Sequence, residues 1–233
     1  MIKRIGSHLV IIGVAHVLPS SAAEVGEIIA AERPDVVAVE LDPMRYMAMT
    51  RGNKPGILDA MRAGPNILLL SALIYLTQGK FSRQTGMQAG EEMLVAVNKA
   101  KEIGAQVQLI DRDIGITLQR LVSGMSMREK LRLFGNLLVS LLPVGKGVEI
   151  ERITEEHMVE SLLVEFKKLS PTAYDVLIDE RNAYMSSRLA TILLSGKKVV
   201  CVVGAGHVPG IYGRMGKLIS GGWRMSINYS AGG

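Results

Sequence analysis

Two histidines stand in matching positions near opposite ends of the chain, and both could bind a metal ion or move a proton. His16 closes Gly13-Val-Ala-His16 after one apolar run, and His207 closes Gly204-Ala-Gly-His207 after another. Glycine lets the backbone turn sharply after a strand, which would hold each imidazole over the edge of a sheet. The repeat therefore predicts that the two rings share one site.

A carboxylate joins this prediction because Glu40 lies inside the apolar run VVAVEL and needs a partner if it is buried. Two neutral imidazoles and one carboxylate suit a divalent metal ion, which would acidify a bound water. Without a metal, the same groups could act as a general base and an oxyanion partner. The residue types leave both alternatives open.

The elements that must position these groups are short apolar runs separated by long helical segments. The runs predict strands at residues 7–13, 35–41, 106–110, 197–203 and 223–229, with helices between them. This alternation predicts an α/β fold with a mainly parallel or mixed sheet covered by helices. Reactive groups gather beyond the carboxyl ends of such strands. The polar residues at these ends are His16, Glu40, Asp111, Arg112 and His207.

Two helix starts are indicated by capping residues. Ser21 and Glu24 form a capping box that predicts a helix reaching about residue 33. The pair Asp42-Pro43 predicts a second helix, through about residue 50.

Length and composition narrow the class of protein. We expect one domain over residues 1–233, with a helical insertion or subdomain at roughly 57–103 and 114–195. The single cysteine, Cys201, excludes an internal disulfide and a multi-cysteine metal site. The net charge of +5 is spread along the chain, which argues against nucleic acid as a partner.

The same composition bears on location and assembly. No signal peptide or membrane-spanning stretch is evident, so we expect a cytoplasmic or membrane-associated protein. The apolar helices between residues 57 and 145 could cover the sheet, pair with a second copy in a homodimer, or contact a membrane surface.

Taken together, five short motifs resemble the TraB/PrgY pheromone-shutdown family. That family is related to the Tiki-type metalloproteases and, more distantly, to EreA/ChaN-like proteins, a group that includes erythromycin esterases. The motifs lie in order along nearly the whole chain: GVAH ending at His16, RPDVVAVELDP around Glu40, IDRDI around Arg112, IDER ending at Arg181 with Tyr184-Met185 after it, and VGAGHV around His207.

The resemblance implies two related halves, each with one Gly-x-x-His motif, and a metal-dependent hydrolase acting on peptides. It implies Mn or Co as the ion, with Zn as a further candidate. The implied metal ligands are His16, Glu40, Glu92 and His207, and Arg112 and Arg181 would face the pocket as further catalytic groups. The resemblance assigns the family's helix-start glutamate to Glu92 and not to Glu91. In this chain Ala89 stands where the family usually has proline before that glutamate.

The function expected from these residues is hydrolysis of a peptide or a small amide or ester, inactivating or processing peptide signals. One alternative is a protein that binds or sequesters a peptide at a membrane surface without chemistry. A metal-independent esterase with one histidine as base is a third.

Overall fold

The computed structural model describes residues 1–14, 19–51, 91–132, 135 and 155–220. Several predictions fall outside these residues: the position of His16, the predicted strand at 223–229, and the part of the helical segment between 57 and 90. Everything below concerns the described residues.

The centre of the fold is a five-stranded mixed sheet in the order β1-β2-β5-β3-β4. The strands are β1 (Ile2–Ile5), β2 (Leu9–Val14), β3 (Val36–Val39), β4 (Gln106–Leu109) and β5 (Val199–Gly204). Strands β2, β5, β3 and β4 run parallel to one another, as the pattern predicts. Strand β1 was not predicted; it pairs antiparallel with β2 at the sheet edge. Strand β1 is only partly buried, and its sequence IKRI therefore has no continuous apolar run like those of the central strands.

Helices connect and cover the strands. They are α1 (Pro19–Glu32), α2 (Pro43–Arg51), α3 (Glu91–Glu102), α4 (Ile114–Gly124), α5 (Glu155–Leu169), α6 (Pro171–Tyr174), α7 (Glu180–Leu193) and α8 (Val208–Ser220). Residues 127–132 are also helical. A π-helix (Asp175–Asp179) precedes α7, and a short 3₁₀ turn (Ala205–His207) precedes α8. Among the helices of the described ranges, none combines the length and apolarity that a bilayer crossing requires.

The core lies on both faces of the sheet, which is why the central strands are apolar at every position. On one face the strands pack against Met185 and Leu189 of α7 and Ile211 of α8. On the other face they pack against Ile29 of α1 and Met93 of α3. The result is a three-layer α/β/α arrangement in which the central strands have no solvent-facing side.

The two predicted helix starts have different outcomes. Asp42 caps α2 as expected, because its Oδ1 accepts from the backbone N–H of Met44 at 2.8 Å and of Arg45 at 3.0 Å. Helix α1 begins at Pro19, two residues before the predicted cap. Proline is favoured in the first turn of a helix, where its missing N–H costs no hydrogen bond.

Candidate functional site

The two Gly-x-x-His motifs begin on neighbouring parallel strands. In the β2–β5 pairing, Gly13 lies opposite Val203 and Val14 lies opposite Gly204. The two motif glycines are therefore one residue out of register at the same edge of the sheet. His16 itself lies outside the described residues, whereas His207 closes the 3₁₀ turn after β5 and is 5% exposed.

Glu40 leaves β3 beside the second motif, and it is 8% exposed. Its Oε2 accepts from the backbone N–H of Gly204 at 2.6 Å, and its Oε1 lies 3.4 Å from Nε2 of His207. Burial by itself raises the pKa of Glu40, but the His207 imidazole, the Arg181 guanidinium and the Gly204 amide outweigh it and hold the pKa below its usual range. Glu40 is therefore a buried, ionised carboxylate.

Arg181 neutralises this end of the sheet, and each of its N–H groups has an acceptor. Nε and Nη2 donate to the two oxygens of Asp111 at 3.0 and 2.7 Å, and Nη2 also donates to Oε1 of Glu40. Nη1 lies 3.0 Å from Nε2 of His207 and donates to the carbonyl of Leu177 at 3.2 Å. Burial by itself lowers the pKa of Arg181, but Glu40 and Asp111 outweigh it and raise the pKa above its usual range. Arg181 therefore lies in contact with Glu40 and His207, and its catalytic role stays a prediction.

The π-helix before α7 helps to place this arginine. In a π-helix the backbone hydrogen bonds span five residues where those of an α-helix span four, and such segments are frequent at functional sites. Two of its carbonyls accept from site arginines: that of Leu177 from Arg181, and that of Val176 from Nη2 of Arg112 at 3.2 Å. No sequence pattern predicted this segment.

Arg112 is held in a neighbouring cluster. Its Nη1 donates to Glu180 at 2.6 Å and its Nε to Thr117 at 3.1 Å. Glu180 also accepts from Arg120 through two donors, at 2.6 and 2.7 Å. Hydrogen bonding to Arg120 and then Arg112 lowers the pKa of Glu180 to about 2, against the opposing effect of burial. The contacts of Arg112 in the described chain thus go to Glu180, Thr117 and Val176, and a role at a developing charge stays a prediction.

Glu92, the remaining predicted ligand, lies in the first turn of α3 and is 1% exposed. The side chain of Glu91 lies outside the described part of the chain, as His16 does. The choice between Glu91 and Glu92 therefore stays a prediction.

Two side chains of the types that bind divalent ions lie next to each other in this site. Nε2 of His207 and Oε1 of Glu40 lie 3.4 Å apart, and imidazole nitrogen with carboxylate oxygen is a common ligand combination. Arg181 now bonds to both atoms, so an ion would replace two guanidinium hydrogen bonds while Asp111 kept its own two. The residues described here fit such an ion as two ligands of a larger set.

Asn182 belongs to the site, and the sequence analysis did not single it out. Its Oδ1 lies 2.7 Å from Nδ1 of His207, and Asn182 is 1% exposed. Polar runs such as residues 179–182 usually face solvent, and in a helix only one or two of four consecutive residues can point inward. Arg181 and Asn182 are those members. The spacing of Asn182 from the buried Met185 and Leu189, three and seven positions on, was the helical signal that marks this face.

Comparison with known proteins gives one family over almost the whole chain. The family model for the TraB/PrgY/gumN family matches residues 1–227. The chain is 37% identical over 218 residues to an uncharacterized protein of Methanocaldococcus jannaschii, covering 91% of this chain and 54% of that protein. It is 26% identical over 234 residues to the human TraB domain-containing protein, covering 88% of this chain and 62% of that protein.

The mouse TraB domain-containing protein matches with the same identity and coverage as the human one. This chain therefore spans between about half and two thirds of the length of these relatives. The extent of the family match agrees with the motifs that ran in order from His16 to His207. The chain belongs to the TraB/PrgY/gumN family.

Proposed function

We propose that this chain is a metal-dependent hydrolase of peptide or small amide bonds, with its site at the carboxyl ends of β3 and β5. The observation that carries the proposal is the convergence of Glu40, Arg181 and His207. They come from three separate elements and are joined to one another by direct contacts. Buried charged groups in contact with a histidine are costly to maintain, and they cluster at functional sites.

Each described residue has a chemical role in this proposal. Glu40 stays ionised because its pKa is held low, so it can bind a cation. Nε2 of His207 lies 3.4 Å from Glu40 and would be a ligand of the ion, or a general base if no ion is bound. Arg181 supplies a fixed positive charge beside both groups, and preorganised charge of this kind stabilises a tetrahedral intermediate.

The ion in the proposal is Mn or Co, with Zn as a further candidate. Glu40 and His207 would hold it together with His16 and Glu92, which complete the family's ligand set. When bound, it would supply a water of lowered pKa at the site. Asp111 would keep Arg181 in place, because two of the guanidinium's hydrogen bonds go to Asp111 alone.

A peptide-binding protein without chemistry is the second candidate. One observation favours it: Arg181 already bonds to both Oε1 of Glu40 and Nε2 of His207. A site in which the charged groups satisfy one another can recognise a peptide without activating water. In either case we infer that the ligand is a peptide signal, held in solution or at a membrane surface.

The test is a hydrolysis screen with fluorogenic peptides, run with a chelator and then with added Mn²⁺, Co²⁺ or Zn²⁺. Glu40→Gln and His207→Gln should each lower turnover by roughly 10²–10⁴-fold, the usual contribution of a positioned acid or base. Glu165→Gln is the matched control, because Glu165 is exposed and pairs only with Lys168 among described residues. Wild-type turnover in both site variants would refute the hydrolase. Tight peptide binding without turnover or bound metal would establish the second candidate.

A further inference from the structure

We propose that Asn182 is a positioning residue that holds His207 in its Nδ1–H tautomer, which leaves the lone pair of Nε2 to accept from Arg181. The proposal rests on the proposed function only in that it assigns Nε2 as the working nitrogen. The tautomer is a property of the ground-state structure and can be measured without a substrate.

The first step concerns the Nε2 side of the ring. Nη1 of Arg181 lies 3.0 Å from Nε2, and a guanidinium has only donors. The only acceptor that the structure places near Nε2 in the described residues is Oε1 of Glu40, at the longer distance of 3.4 Å, so the shorter contact with Arg181 assigns Nε2 as an acceptor. A neutral imidazole with an accepting Nε2 carries its proton on Nδ1.

The second step concerns the Nδ1 side. Oδ1 of Asn182 lies 2.7 Å from Nδ1, and a side-chain amide oxygen is an acceptor. The contact with Arg181 puts the ring proton on Nδ1, and Nδ1–H then donates to Oδ1 of Asn182. The opposite tautomer would lose both contacts, because Nε2–H would meet an N–H of Arg181 and the unprotonated Nδ1 would meet the amide oxygen of Asn182.

The third step is the orientation of the amide. Gly210, in the first turn of α8, packs directly on Asn182: a Cβ at this position would lie 2.1 Å from Nδ2 and 2.8 Å from Cγ of Asn182. Such distances are excluded, so any larger residue at 210 would push the amide away. The missing side chain of Gly210 therefore leaves the space in which Asn182 turns its oxygen toward His207.

This arrangement links the two ends of one short segment. His207 and Gly210 are three residues apart, on either side of the start of α8, and Asn182 reaches both from α7. An oxygen that accepts from the other ring nitrogen commonly fixes the tautomer and the ring plane of a working histidine. Asn182 is thereby assigned to position His207 and not to contact substrate.

The experiment is ¹⁵N NMR of the histidine ring nitrogens in the metal-free chain. The four histidines of the chain are few enough for His207 to be assigned by difference with His207→Gln. In the wild type, Nδ1 should show the shift of a protonated ring nitrogen and Nε2 that of an unprotonated one. Asn182→Leu should reduce the excess of the Nδ1–H form by about tenfold, the effect of losing one buried hydrogen bond.

Gly210→Ala supplies a second variant that leaves Asn182 in the sequence, and it should move the tautomer in the same direction. Gly213→Ala is the matched control one turn on, since a Cβ there would have no neighbour within 4 Å. An Nε2–H ring in the wild type, or an unchanged tautomer in both variants, would overturn the proposal. With an active enzyme, both variants should lower kcat more than they raise KM. A wild type with the Nδ1–H ring but without hydrolysis would refute the proposed function and support the tautomer assignment.

Discussion

Replacing Arg181 with methionine should destabilise the protein more than replacing any exposed arginine, because it removes the guanidinium from two buried carboxylates. Of the two, Asp111 keeps only a longer contact with Arg45, at 3.4 Å. Glu40 and Asp111 are 8% and 6% exposed, and both receive hydrogen bonds from the guanidinium. Methionine preserves the unbranched stem but offers no N–H group. The loss is therefore mainly electrostatic.

The magnitude follows from the burial of the pair. Removing one partner of a buried ion pair costs about 3–5 kcal/mol, because the remaining charge is uncompensated. Domains are stable by about 5–15 kcal/mol, so Arg181→Met should still fold but with much of its stability lost. At a urea dependence of about 2 kcal/mol per molar, the midpoint of unfolding should fall by about 2 M.

The assay is urea denaturation at pH 7, followed by circular dichroism in metal-free buffer. Arg188→Met is the control, since Arg188 is an exposed residue of the same helix, and it should change the free energy of unfolding by less than about 0.5 kcal/mol. Adding Asp111→Asn to Arg181→Met should recover part of the loss by removing one stranded charge. A loss below about 1 kcal/mol in Arg181→Met would contradict the view of Arg181 as the buried counterion.

Two further predictions concern stability. The pKa of Glu180 is lowered from 4.5 to about 2, so its stabilising contribution is present above pH 4.5 and is lost as the pH falls toward 2. Since the Glu180 side chain is 29% exposed, we expect it to contribute about 1–2 kcal/mol to the free energy of unfolding. The difference in this free energy between wild type and Glu180→Gln should shrink from pH 5 to pH 2. A difference that does not change with pH would disprove the prediction. Gly13→Ala should lower the free energy of unfolding by about 1–3 kcal/mol, because its Cβ would lie 2.6 Å from Cγ2 of Val208. Gly216→Ala is the control and should have no such effect, since a Cβ there would meet open space. Equal urea midpoints for the two variants would show that Val208 can move aside.

Several features of this protein were evident in the sequence because their signals are local. The central strands β2, β3 and β5 are continuous apolar runs, which only a strand buried on both faces needs, and they lie where such runs predicted them. Strand β4 also lies in its predicted range, although its sequence QVQL alternates polar and apolar residues at the sheet edge. The Asp42 cap is likewise a two-residue signal. The motifs around Glu40 and His207 were sufficient to name the family, since a set of short motifs in fixed order is specific even when each is weak.

The tertiary structure decided the contacts that make these residues one site. Arg181 bonds to Glu40 across 141 positions and to Asp111 across 70 positions, and such contacts depend on which strand lies beside which. The same holds for the inward turn of Asn182. Helical spacing puts Asn182 on the same face as Met185 and Leu189, but its contact with His207 is set by the packing of α7 and α8 on the sheet. The sequence thus specifies which groups are available, and their pairing depends on free energies of burial that exist only once the layers are assembled.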